Sequence, residues 1–161
     1  TDRNCVELAP TNLAKRAMPK LLAYLPCEKV VIEEESKNIS VLSILETVNV
    51  TLARGAPAPT QNASIGMAWA IFTLWQKEKS ESGEFESKSV LVSPTGELLA
   101  ETPAAKLGFG TNTRQQVVNR MASFPVWTPG PCQLKLMVKT ARDGNYRELA
   151  NVVVTLRHTW A

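Results

Sequence analysis

Cys132–Thr140, CQLKLMVKT, places Cys132, Leu134, Leu136 and Val138 on one parity and Gln133, Lys135, Met137 and Lys139 on the other. Successive side chains of a strand point to opposite faces, so this alternation marks a strand with one buried and one wet face. Ala150–Leu156, ANVVVTL, repeats the pattern, again with the even residues Ala150, Val152, Val154 and Leu156 apolar. The two segments form a hairpin around Asp143-Gly144. Directly opposed residues of an antiparallel pair have a constant sum of residue numbers, so pairing even with even requires an odd loop. A three-residue loop, Asp143-Gly144-Asn145, sets Leu136 opposite Val152 and Leu134 opposite Val154. A two-residue Asp-Gly turn would bury Lys135 or expose the valines.

Strand signals continue upstream. Residues 21–33 (LLAYLPCEKVVIE) are apolar and β-branched, with Pro26 marking a bulge or break, and the polar turn 34–38 leads into 39–52 (ISVLSILETVNVTL). There Leu42, Ile44, Val48, Val50 and Leu52 share one parity, which predicts a single second strand. The Pro- and Gly-containing stretch 53–63 reads as a crossover between sheets. Residues 64–79 read as the longest strand, with Ile65, Met67, Trp69, Ile71 and Trp75 on one face and Ala68, Ala70, Phe72 and Leu74 on the other. Apolar residues on both faces suggest a central strand lying between the core and a partner. Ser93-Pro94-Thr95-Gly96 has type I turn chemistry and joins 88–92 to 97–101 in a hairpin. A loop over 103–112, a strand over 113–124 and a Pro-rich loop over 125–131 complete the series.

The pattern predicts an all-β fold: an antiparallel β-sandwich of about eight strands, immunoglobulin-like or C2-like, occupying residues 19–161. Residues 1–18 read as an N-terminal extension or arm, with a short helix capped at Thr11-Asn12 and stopped by Pro19. A chain of 161 residues buries enough surface to need no disulfide or metal. Its net charge of +3 is too mild for a dedicated nucleic-acid domain. No apolar run reaches a membrane span and no leader pattern opens the chain, so the expectation is a cytoplasmic protein without membrane contact. Cys5, Cys27 and Cys132 lack CxxC spacing. Reduced thiols are the simplest account, with a Cys27–Cys132 bridge as the alternative.

Catalytic residue types are scarce. His158 is the only histidine, and Asp2 and Asp143 are the only aspartates. A Ser or Cys nucleophile would have to share that histidine and be oriented by a glutamate. His158 is more simply a terminal-strand histidine against Trp160. So small a set of Cys and His ligands argues against zinc, and the lack of clustered aspartates argues against calcium. No cofactor, metal or catalytic residue is expected. Glu33-Glu34-Glu35 reads as a solvated tip, and Gly108-Phe109-Gly110-Thr111-Asn112 lacks the GK[ST] of a phosphate loop. Recognition then falls to the loops, where Trp127, Phe109 and Arg54 are the candidate binding residues.

Residues 19–52 and 124–138 (FPVWTPGPCQLKLMV) resemble the opening and closing segments of a family of small uncharacterised bacterial β-sandwich proteins. Cys27, Phe124-Pro125 and Gly130 carry the resemblance, which spans residues 19–157. Cys132 stands near the place where that family usually has an aromatic. The resemblance implies the fold and brings no catalytic residues. The functional expectation is a non-enzymatic binding or assembly module for a protein partner or for self-association. The alternatives are a carbohydrate or nucleic-acid binder centred on Trp127, and a hydrolase-like enzyme using His158 with a glutamate.

Overall fold

The computed structural model describes residues 18–77, 84–140 and 144–161. Among them the chain forms twelve strands and no helix, hence no helix long and apolar enough to cross a membrane. The strands are β1 (Lys20–Ile32), β2 (Ile39–Ile44), β3 (Thr47–Leu52), β4 (Ser64–Ile65), β5 (Trp69–Gln76), β6 (Phe85–Val92), β7 (Leu98–Glu101), β8 (Ala105–Leu107), β9 (Arg114–Met121), β10 (Phe124–Pro125), β11 (Gly130–Thr140) and β12 (Arg147–Trp160). The fold is all-β, but the count corrects the expected eight or so strands. A four-stranded antiparallel sheet runs β2-β1-β5-β9, and a six-stranded sheet runs β3-β12-β11-β6-β7 with β8 also on β6. The small β10–β4 ribbon stands apart. The arm and its helix lie in residues 1–17, outside the described residues, as does the Asp143 turn position.

One core is shared by the two main sheets. Trp69, Ile71 and Trp75 of β5 meet Leu134, Leu136 and Val138 of β11, Val154 and Leu156 of β12, and Leu91 of β6. The even residues of the last hairpin do face inward, and they pair even with even: Cys132 with Val154, Leu134 with Val152, Leu136 with Ala150. This register is displaced by two residues from the one a three-residue loop would set. Next to the turn Met137 pairs with Glu148 and Val138 with Arg147, three residues away from that expectation, and a bulge between Leu136 and Met137 gives one of the three back. One extra residue at the bulge changes the parity, so the tip closes on an even loop while the buried part keeps its pairing.

The segment 39–52 is the largest departure from the sequence reading. It is two strands, with β2 at the edge of one sheet and β3, parallel to β12, at the edge of the other. Leu45 turns the corner: its side chain is buried and its N–H donates to the Pro26 carbonyl at 2.9 Å. Ser43 just before it has φ of +55°. The corner inverts the facing, so Val48 and Val50 are buried while Leu42 and Ile44 are exposed, although all four share a parity. Likewise 64–79 is divided into β4 and β5, and the expected loop 103–112 contributes β8.

Cys27, Val30, Ala70 and Phe72 form a second apolar cluster on the outer side of the four-stranded sheet. This sheet curls over it. Lys37, at the β1–β2 turn, lines the same hollow as Leu74 of β5 and Arg114 and Gln116 of β9. The β1–β2 hairpin therefore bends across β5 and β9, and Ile39 and Val41 pack on the cluster. The partner that the second apolar face of β5 called for is this hairpin of the same chain.

Candidate functional site

The three loop residues singled out by sequence do not converge. Trp127 is half-buried in the loop before β11, and Arg54 is exposed on a turn closed by the Ala56 N–H to the Ala53 carbonyl at 2.9 Å. Both lie at the end of the six-stranded sheet where Gly130 pairs with Leu156 and Trp160 with Leu52. Phe109 follows β8, whose Leu107 pairs with Phe85 at the opposite end of that sheet. Its ring is 6% exposed and belongs to the main core, so it presents no surface for a ligand.

His158 sits beside the Trp127 loop, with Nε2 2.9 Å from the Val126 carbonyl oxygen. That contact braces the loop against β12, with Nε2–H donating to the carbonyl. Trp160 is exposed, whereas Trp69 and Trp75 are core residues held by bonds from their indole N–H groups to the Ser123 carbonyl (2.9 Å) and the Thr73 hydroxyl (3.1 Å). Cys27 and Cys132 are both buried free thiols. They cannot be bridged, because Cys27 belongs to the outer cluster of the four-stranded sheet and Cys132 to the main core. Burial pushes both thiols above their ordinary pKa, which keeps them protonated and poorly nucleophilic.

The surface chemistry lies instead on the strands. The outward side of the six-stranded sheet is a run of ion pairs: Lys88 with Glu101 at 2.9 Å, Lys139 with Glu86 at 2.8 Å and Lys135 with Glu148 at 3.1 Å. Tyr146 lies between two of these cations, its ring centroid 4.5 Å from Lys88 Nζ and 4.8 Å from Lys139 Nζ. Its hydroxyl donates to Glu86 at 3.1 Å. The bonds from Lys139 and then Tyr146 hold the Glu86 carboxyl below the ordinary carboxylate range, and those from Lys135 and Asn151 do the same for Glu148.

The four-stranded sheet offers two features of another kind, neither carried by a motif. Its edge strand β2, ISVLSI, has no charged residue, and Leu42 and Ile44 are 46% and 56% exposed. Where β1 parts from β5, a hollow of about 390 Å³ opens between residues 28–30, residues 68–70, Arg120 and Met121. A third hollow, of about 290 Å³, has an uncharged lining that includes Gln61, Asn62, Ser64 and Ser123. The chain matches no protein-family model and no curated protein.

Proposed function

We propose that this chain is a non-enzymatic assembly module, a two-sheet sandwich-type scaffold that associates with a second copy of itself along the flank formed by residues 39–52. The reading rests on one observation. A single run of chain supplies the edge strand of both main sheets, β2 and β3, and carries only one charge, Glu46. Edge strands expose unpaired N–H and C=O groups, and soluble proteins usually guard them with charges, prolines or bulges. The other edge of the four-stranded sheet, β9, is guarded in this way by Arg114 and Arg120. Pairing an uncharged strand with its own two-fold copy opposes no like charges, and the exposed Leu42 and Ile44 would add apolar area beside the ladder. The protonated, buried thiols support a role without thiol catalysis.

Sedimentation velocity over a wide concentration range tests the reading. The expected result is a concentration-dependent dimer that becomes a monomer when Leu42→Lys and Ile44→Lys are combined, with the urea midpoint held. A native chain that is monomeric at every concentration overturns it.

A further inference from the structure

β1 outruns its neighbour. It pairs with β5 only as far as Cys27 opposite Ala70, and beyond that point residues 28–32 are bonded to β2 alone. The other edge of residues 28–32 has no strand beside it among the described residues. β5 begins at Trp69, and the chain before it turns away, with the Met67 N–H bonded to the Ile65 carbonyl at 2.9 Å. The 390 Å³ hollow lies in this gap. Its floor is apolar: Val30, Trp69 and Ala70 are all buried, and Met121 is partly so. Its rim carries Lys29, Arg120 and Glu28, all exposed. Neither cation has an ion-pair partner among the described residues, in contrast to Lys88, Lys135 and Lys139 on the other sheet.

We infer that this gap is a docking groove for an extended peptide segment that adds as a strand to the free edge of residues 28–32 and sets a carboxylate against Arg120 and Lys29. Each element of the groove matches one part of such a segment. The free backbone edge offers ladder bonds of the kind that give strand-addition sites their affinity. The apolar floor accepts one side chain of the added strand, and the guanidinium offers a two-pronged donor for a carboxylate of a neighbouring residue. With two cations against one carboxylate, the rim selects an acidic segment over a basic one. The groove lies on the edge of the hairpin away from β2, so it does not depend on self-association along residues 39–52.

The test is a titration of the isotopically labelled full chain, followed by amide NMR. The probes are capped five-residue peptides of alternating valine and threonine with a central glutamate, glutamine or lysine. The glutamate peptide is expected to shift the amides of residues 28–32, 68–70 and 120–121 and to slow hydrogen exchange at residues 28–32. The glutamine peptide should bind more weakly and the lysine peptide most weakly. Arg120→Gln should weaken the glutamate peptide about tenfold, equivalent to about 1.4 kcal/mol. Both cations are exposed, so Arg120→Gln and Lys29→Gln are expected to keep the wild-type urea midpoint. No binding, or equal affinity for the three peptides, overturns the inference. So does isovalerate alone reproducing every shift and the exchange protection, since the groove would then take a small acid and not a strand. A chain that is monomeric by sedimentation yet binds the glutamate peptide would overturn the assembly reading alone.

Discussion

The outward residues of β6 and β11 include Glu86, Lys88, Lys135 and Lys139, where Lys139 pairs with Glu86, Lys88 with Glu101 and Lys135 with Glu148. At the same level of the four-stranded sheet, β1, β5 and β9 present Leu25, Cys27, Ala70, Phe72, Leu74 and Val118. A sheet whose second face is charged is finished once its strands are paired, because water solvates that face. A sheet that is apolar on both faces is not, and here the β1–β2 hairpin bends over it until Phe72 is 5% exposed and Ala70 3%. The bend has visible consequences. It draws β1 away from β5, which opens the groove beside residues 28–32, and it leaves β2 as an uncharged edge. The groove and the edge strand are thus by-products of covering one apolar face.

The largest expected effect tests whether the covered face is a real core. Phe72→Ala removes a buried ring from the second cluster and should cost about 3 kcal/mol or more. Met137→Ala, on the outward side of the six-stranded sheet, should cost well under 1 kcal/mol, as surface substitutions usually do. Urea denaturation of the two variants measures both. Equal losses would mean that the two outer faces do not differ as described.

The bend also concentrates the strained backbone. Lys37 and Ser43, with φ of +56° and +55°, are the only non-glycine residues with positive φ among the described residues, and both belong to the β1–β2 hairpin or its exit. Gly130, by contrast, meets a similar demand on the six-stranded sheet without strain: φ is +133°, and a Cβ there would stand 2.9 Å from Pro94 Cγ. Glycine adopts positive φ without the steric penalty of a side chain. Ser43→Gly is therefore expected to raise stability by about 0.5–1 kcal/mol. A loss of stability would show that the Ser43 conformation costs less than the unfolded-chain entropy that glycine adds.

The sequence was legible where a strand stayed in one sheet. The alternation in 132–140 and 150–156 gave the inward faces of β11 and β12 correctly, because parity follows directly from the pleat. The pairing is two residues away because neither the position of the turn nor the one-residue bulge leaves a parity signal of its own. In 39–52 parity does not carry across: five apolar residues of one parity read as one strand, while the corner at Leu45 inverts their facing. The two apolar faces of β5 were visible in its residues, but what covers the second one depends on the reach of a hairpin. The candidate site was less legible still. Trp127, Arg54 and Phe109 stand out by residue type alone, and the last is in the core. The groove comes from a mismatch in strand ends, where β1 continues past the start of β5, and no local pattern records that.

The smallest effect separates the two faces by pH. Glu86 and Glu148 have carboxyls held below the ordinary value of about 4.3 by their lysine partners. A depressed folded-state pKa contributes stability that is present above the unfolded value and is lost as pH falls through the folded one. The native chain should therefore lose stability on acidification below about pH 4.3 in part through these pairs. Lys139, whose pKa is raised chiefly by its bond to Glu86, contributes in the opposite window: its share is complete below the ordinary lysine value and fades as pH rises through the raised one. Combining Glu86→Gln with Glu148→Gln should flatten the acid limb of a stability-versus-pH curve and reduce its dependence on salt, since these are exposed pairs. Phe72→Ala should instead lower the curve by a similar amount at every pH, because the ring packs in a cluster whose side chains are apolar apart from the Cys27 thiol, whose pKa burial raises. If the double glutamine variant kept the full acid limb, the carboxylates responsible would have to lie elsewhere. The nearest alternative is Glu97, lowered by its bonds from Ser93 and Thr95 in the β6–β7 turn.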